Sequence, residues 1–143
     1  MSERLKGGGS SSSVPLAKKL GIVEGSVLAL LDAPNGFQLE LPTGVVVRRQ
    51  LRGHPDVVLT FVNQSVQLER RLDKLAAAVF PSGALWIAWP KKSSGVQTDM
   101  SDHLVRQLSL ERGLVDNKVC AVDPTWTGLR LVWRREHRAS FSP

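Results

Sequence analysis

Three short apolar runs constrain this chain more than anything else in it. Residues 26–31 read Ser-Val-Leu-Ala-Leu-Leu, residues 56–61 read Asp-Val-Val-Leu-Thr-Phe, and residues 84–89 read Ala-Leu-Trp-Ile-Ala-Trp. None alternates apolar with polar residues, as a strand with one wet face would. Each is bounded by turn formers and is far shorter than the ~18 apolar residues that span a membrane. Such runs predict strands buried on both faces, the habit of parallel sheets covered by helices.

The segments between them supply those helices. Leu68, Leu72, Leu75 and Val79 recur at helical spacing and form one apolar stripe, while Glu69, Arg70, Asp73 and Lys74 fall away from it. Asn63 or Ser65 is placed to cap that helix, and Pro81-Ser82-Gly83 ends it. Asp99 or Ser101 is placed to cap another helix carrying Met100, Leu104 and Leu108 on one face, with Gly113 ending it. A short helix over residues 16–20 begins after Pro15 and stops at Gly21. Residues 45–47 predict a short strand followed by Arg48-Arg49, and the loop 32–36 is dense in turn formers. Strands at 118–122 and 129–133, joined by residues 123–128, predict an antiparallel pair. The fold class that follows is α/β: a small Rossmann-like mixed sheet of five or six strands, mostly parallel, with a C-terminal antiparallel hairpin.

With 143 residues and 42% hydrophobic content, the chain suits one domain with a real core. That domain is expected over residues 14–134. The Gly-Gly-Gly-Ser-Ser-Ser-Ser run at 7–13 reads as a flexible tail that buries nothing, and residues 135–143 as a frayed basic tail. The start of the chain lacks the apolar stretch of a signal peptide, so a cytoplasmic location is the expectation. Cys120 is the sole cysteine, which excludes an internal disulfide and a cysteine-rich metal site. The net charge of +6 and pI near 10.1 favour anionic partners. The cations are scattered rather than massed, so nucleic-acid binding is the weaker expectation.

Three stretches resemble the class I methyltransferase pattern. Residues 20–28, Leu-Gly-Ile-Val-Glu-Gly-Ser-Val-Leu, are similar to the approach to that fold's first strand. Asp56-Val57-Val58 resembles the opening of its fourth strand, and residues 80–87, Phe-Pro-Ser-Gly-Ala-Leu-Trp-Ile, the approach to its fifth. A more specific resemblance is to a family of small bacterial proteins of unknown function. It is carried by residues 15–21, 89–95, 119–123 and 126–129, and it implies the same fold without an established activity.

The methyltransferase resemblance implies S-adenosylmethionine as cofactor, held by a glycine-rich loop after the first strand and an acid at the end of the second. Here the loop Asp32-Ala33-Pro34-Asn35-Gly36 has one glycine and a stiffening proline, and Arg48-Arg49 stand where the acid belongs. A cation cannot accept hydrogen bonds from a ribose diol; it suits phosphate or carboxylate. The cofactor is therefore disfavoured, and a non-catalytic domain binding an anionic ligand or a protein partner is the favoured reading. A divergent methyltransferase and a nucleic-acid-binding accessory protein are the alternatives.

The residues expected to form the binding site are Lys91, Lys92, Ser93, Ser94 and Gly95 as an anion cradle, with Arg48 and Arg49 as further charges and Asp32, Asn35 and Gly36 on the facing loop. All should lie at the carboxyl edge of the sheet, where open α/β sheets bind ligands. No catalytic residue and no metal ligand is assigned. His54, His103 and His137 lack ligand spacing, and Cys120 sits in an apolar strand where thiols are inert. Trp86, Trp89 and Trp133 read as core or sheet-face packing, whereas Trp126 reads as an exposed turn residue able to anchor a partner.

Overall fold

The computed structural model describes residues 14–140. The glycine- and serine-rich run at 7–13 and the last three residues lie outside the described residues. Six strands form one sheet in the order β2-β1-β3-β4-β6-β5. β1 (Val27–Leu31), β2 (Val46–Arg48), β3 (Val57–Phe61) and β4 (Ala84–Pro90) are parallel; β6 (Trp126–Trp133) runs antiparallel to both β4 and β5 (Leu114–Ala121). The expected mixed sheet with an antiparallel C-terminal pair is therefore present. No helix among the described residues is long and apolar enough to cross a membrane.

The apolar runs behave as their lack of alternation requires. Every residue of β3 and β4 is buried. Alternate residues supply two cores. Ala29, Val58, Leu85, Ile87, Leu129 and Leu131 face α2 (Ser65–Val79) and α3 (Asp102–Leu110). The α2 stripe of Leu68, Leu72, Leu75 and Val79 is at most 1% exposed. On the other face Leu28, Leu30, Leu59, Phe61, Trp86 and Ala88 meet α1 (Leu16–Lys19) and a thin cover of Ala33, Phe37, Leu39 and Val45. That cover comes from the segment between β1 and β2, which has no helix of its own.

Several details depart from expectation. β5 starts at Leu114, earlier than foreseen, because Asp116, Asn117 and Lys118 are polar residues tolerated on an edge strand, with a register shift between Asp116 and Lys118. β6 starts at Trp126, so the hairpin loop is shorter than six residues. Asp123 tightens it by accepting from the Thr125 and Trp126 amides through Oδ1, both at 2.8 Å. Trp126 is thus a half-buried strand residue rather than an exposed turn residue, and its ring meets Phe61 edge-on at 5.1 Å. Arg135–Ser140 forms α4 where a frayed tail is expected. Gly128 is required by close packing: a Cβ there would sit 3.2 Å from both Trp86 and Val122.

Candidate functional site

The chain order reverses direction across the sheet between β1 and β3, since β2 lies on one side and β4 on the other. The carboxyl ends of β1 and β3 flank this switch point, where a crevice for a ligand is the rule in open α/β sheets. Here the chain's own side chains make two contacts. Asp32 follows β1 with a positive φ of 59°, and its carboxylate accepts a short charge-assisted hydrogen bond from Arg71 of α2. On the opposite face Phe37 folds back onto Phe61, centroids 5.0 Å apart, and Phe61 in turn packs against Trp126.

The α2 side of the same edge is strapped as well. α2 has no side-chain cap of its own: Gln64 is its N-cap and makes none, and Ser65 is its first residue. The Asp99 carboxylate does that work from a separate loop, accepting from the Ser65 amide at 2.8 Å and from the Ser65 hydroxyl at 2.5 Å. Thr98 adds a hydroxyl bond to the Asn63 carbonyl at 2.6 Å and accepts from the Met100 amide. The Ser65 hydroxyl and then its amide hold the Asp99 carboxyl below its ordinary pKa. A carboxylate therefore already sits at the positive end of α2. Of the two caps foreseen for α3, Ser101 is the one used, accepting from Leu104 N at 3.1 Å.

The expected site residues are not brought together. Lys91 follows β4; Lys92–Ser94 form a single 3-10 turn and Gly95 takes a left-handed φ of 79°. Ser94 spends its hydroxyl inside this turn, donating to the Lys91 carbonyl at 2.6 Å and accepting from the Val96 amide. Ser93 is exposed. Arg48 and Arg49 stand three strand spacings from β4, roughly 14 Å, and do not line the cleft that Lys92 lines. Arg48 also falls short of the edge. It pairs with Ala29, two residues before the end of β1, and donates to the Arg52 carbonyl at 3.1 Å. Asn35 and Gly36 are exposed on the β1–β2 segment.

What the edge does offer is an open cleft of about 660 Å³ beside the strapped α2 terminus. Gln64 and Val66 form one wall; Lys92, Gly95, Val96, Gln97, Thr98 and Asp99 form the other. Of the expected residues only Lys92 and Gly95 line it. Gln64, Val66, Gln97 and Thr98 escaped the sequence reading, since isolated amides and valines carry no signal of their own. Val66 and Val96 are 44% and 43% exposed. The remaining candidates are structural. Trp86 donates to the Leu20 carbonyl at 2.9 Å, Trp133 donates to the Ala76 carbonyl at 2.8 Å, and Trp89 is buried on the helix face. Burial pushes the Cys120 thiol upward in pKa, against the pull of Lys19 and Lys118. Among the described residues no group of three metal-ligating side chains occurs.

Comparison with known proteins places the fold but no family. No family model matches the chain, and no curated protein matches it. Two solved structures of magnesium protoporphyrin IX methyltransferase from Synechocystis PCC 6803 are similar. The one with bound SAM has a TM-score of 0.54 and 12% identity, covering 83% of this chain and 74% of that one. The one with bound SAH has a TM-score of 0.54 and 11% identity, covering 83% and 78%. At such identities the likeness shows the fold alone: this chain has a methyltransferase-like α/β fold.

Proposed function

We propose that this chain is a non-catalytic domain of methyltransferase-like fold that binds a ligand with an anionic group in the carboxyl-edge cleft. The observation that carries the reading is the pair of side-chain contacts at the switch point. Asp32 is engaged by Arg71, and Phe37 lies on Phe61, where a cofactor would need open backbone and a free acid. The residues present do not fit S-adenosylmethionine: the β1–β2 loop has one glycine in its first five residues, and β2 ends in Arg48. In the cleft, the Lys92 ammonium would meet the anionic group. Gln64 and Gln97 would accept or donate to the polar remainder, and Val66 and Val96 would cover its apolar part. A protein segment ending in a carboxylate meets the same description as a small acid does.

Calorimetry with a carboxylate-ended peptide tests this, comparing the wild type with Lys92→Ala. Loss of roughly tenfold in affinity is expected when one charge-assisted contact is removed. Equal affinity in the two proteins would exclude the cleft. The divergent-methyltransferase reading is favoured by the fold and by Asp32 at the end of β1. Titration with S-adenosylmethionine decides it: heat at millimolar ligand would reinstate the enzyme and sink the non-catalytic reading. The nucleic-acid reading predicts a complex that weakens steeply with salt.

A further inference from the structure

A second concentration of positive charge lies on the other face of the sheet, away from α2 and α3. Lys118 of β5 and Arg130 of β6 are directly opposite each other in the antiparallel register. Arg130 is in turn opposite Trp86 of β4, whose indole reaches the Leu20 carbonyl just after α1, so all three side chains share the α1 face. Opposed residues in such a pair stand about 5 Å apart at Cβ, and like charges there repel. Lys118 lies over the end of α1, donating from Nζ to the Lys19 carbonyl at 2.9 Å. Among the described residues no carboxylate forms an ion pair with Lys18, Lys19, Lys118 or Arg130, although Arg71, Arg106 and Arg112 each have one. Among the described residues Arg130 makes no hydrogen bond through its guanidinium, and partial burial lowers its pKa. Beside the three lysines opens a cavity of about 550 Å³, lined by Val14, Lys18, Lys19, Lys118 and residues 119–121, with Arg130 outside its lining.

We infer that this face is a second anion site, separate from the carboxyl-edge cleft, and that it takes a phosphate-bearing ligand between Lys18, Lys19 and Lys118, with Arg130 alongside, opposite Lys118. The guanidinium fork suits two phosphate oxygens, and the ammoniums act as point charges around the rest. A dianion placed there relieves the cross-strand repulsion between Lys118 and Arg130. Binding therefore stabilises the fold as well as the ligand.

The test is thermal unfolding and calorimetry with inorganic pyrophosphate in low-salt buffer, with sodium chloride at matched ionic strength as control. The wild type should gain several degrees at about 100 times the dissociation constant. Lys118→Gln and Arg130→Gln should each lose roughly tenfold in affinity. Arg130→Lys should keep most of it, which separates lost charge from a damaged fold. An absent gain in the wild type, an equal gain from sodium chloride, or an undiminished gain in both glutamine variants would overturn the inference. A short single-stranded oligonucleotide distinguishes the source of the phosphate: steeply salt-dependent binding tighter than pyrophosphate assigns it to a nucleic-acid backbone, and weaker binding to a small ligand.

Discussion

Asp32 is the residue at which the contacts at the switch point can be pulled apart energetically. It combines a left-handed backbone, φ 59°, with a half-exposed ion pair to Arg71. Asp32→Gly removes the pair but also the steric cost of a Cβ at that φ, which is about 1–2 kcal/mol for an ordinary residue and less for Asp. The pair itself is worth about 0–1 kcal/mol, because both side chains are screened by solvent. Glycine also loosens the unfolded chain, by about 0.4–1 kcal/mol. These contributions offset one another, so Asp32→Gly should fall within about 1 kcal/mol of the wild type. Asp32→Ala loses the pair, keeps the Cβ, and lacks the short polar side chain that makes a left-handed residue tolerable. It should lie about 1 kcal/mol below the glycine variant, reversing the usual order in which alanine is the more stable. Urea unfolding at neutral pH reads the difference directly, and the melting midpoints should differ by roughly 2–5 °C for a domain of this size. An alanine variant as stable as the glycine variant would refute the assignment of backbone strain to Asp32.

Other positions give independent checks. Asp99→Ala should destabilise the fold at neutral pH by uncapping α2. Because Ser65 holds the Asp99 carboxyl below its ordinary value, the stability it contributes is complete above the ordinary carboxylate range and lost as pH falls through the lowered value. The gap between variant and wild type should therefore shrink in acid unfolding profiles, and a gap independent of pH would contradict the capping role. Gly128→Ala should cost about 1–3 kcal/mol by overpacking against Trp86 and Val122, measured by urea unfolding; a neutral result would mean that the Trp86 ring yields freely. Trp86→Phe keeps a ring but orphans the Leu20 carbonyl and should cost about 1–3 kcal/mol; retained stability in thermal unfolding would show that carbonyl to be dispensable.

Much of the architecture was legible because the signals behind it are local. Unalternated runs at β1, β3 and β4 announced buried parallel strands, and the Leu68, Leu72, Leu75, Val79 stripe announced the helix covering them. The ends of β5 and β6 were misplaced for the opposite reason. Asp116, Asn117 and Lys118 are strand residues only because β6 offers them backbone partners on one side and leaves the other side open. Trp126 was read as a turn residue because Pro124 and Gly128 flank it. The Asp123 carboxylate gathers the turn into fewer residues than those punctuation marks suggest.

The site was less legible, because what makes and blocks it is set by pairs far apart in the chain. The Arg71–Asp32 and Ser65–Asp99 contacts join residues 39 and 34 positions apart, and Thr98 meets Asn63 across 35. Asp99 beside Ser101 reads locally as a choice between two caps for one helix, whereas each caps a different helix. Arg48 and Arg49 illustrate the same gap at the level of the sheet. Their order after a strand places them at a carboxyl end, but only the register, Arg48 against Ala29, reveals that β2 stops two residues short of the edge that β1 reaches. At about 3.3 Å per residue this sets Arg48 roughly 7 Å back from Leu31, the last residue of β1, where its guanidinium meets the Arg52 carbonyl. The strand that should carry the cofactor's acid thus has the wrong charge and also ends too early. Replacing Arg48 with Glu alone should not restore S-adenosylmethionine binding, because the new carboxylate would sit one turn of pleat away from the end of β1. Heat on titrating Arg48→Glu with that cofactor would refute this account of the edge.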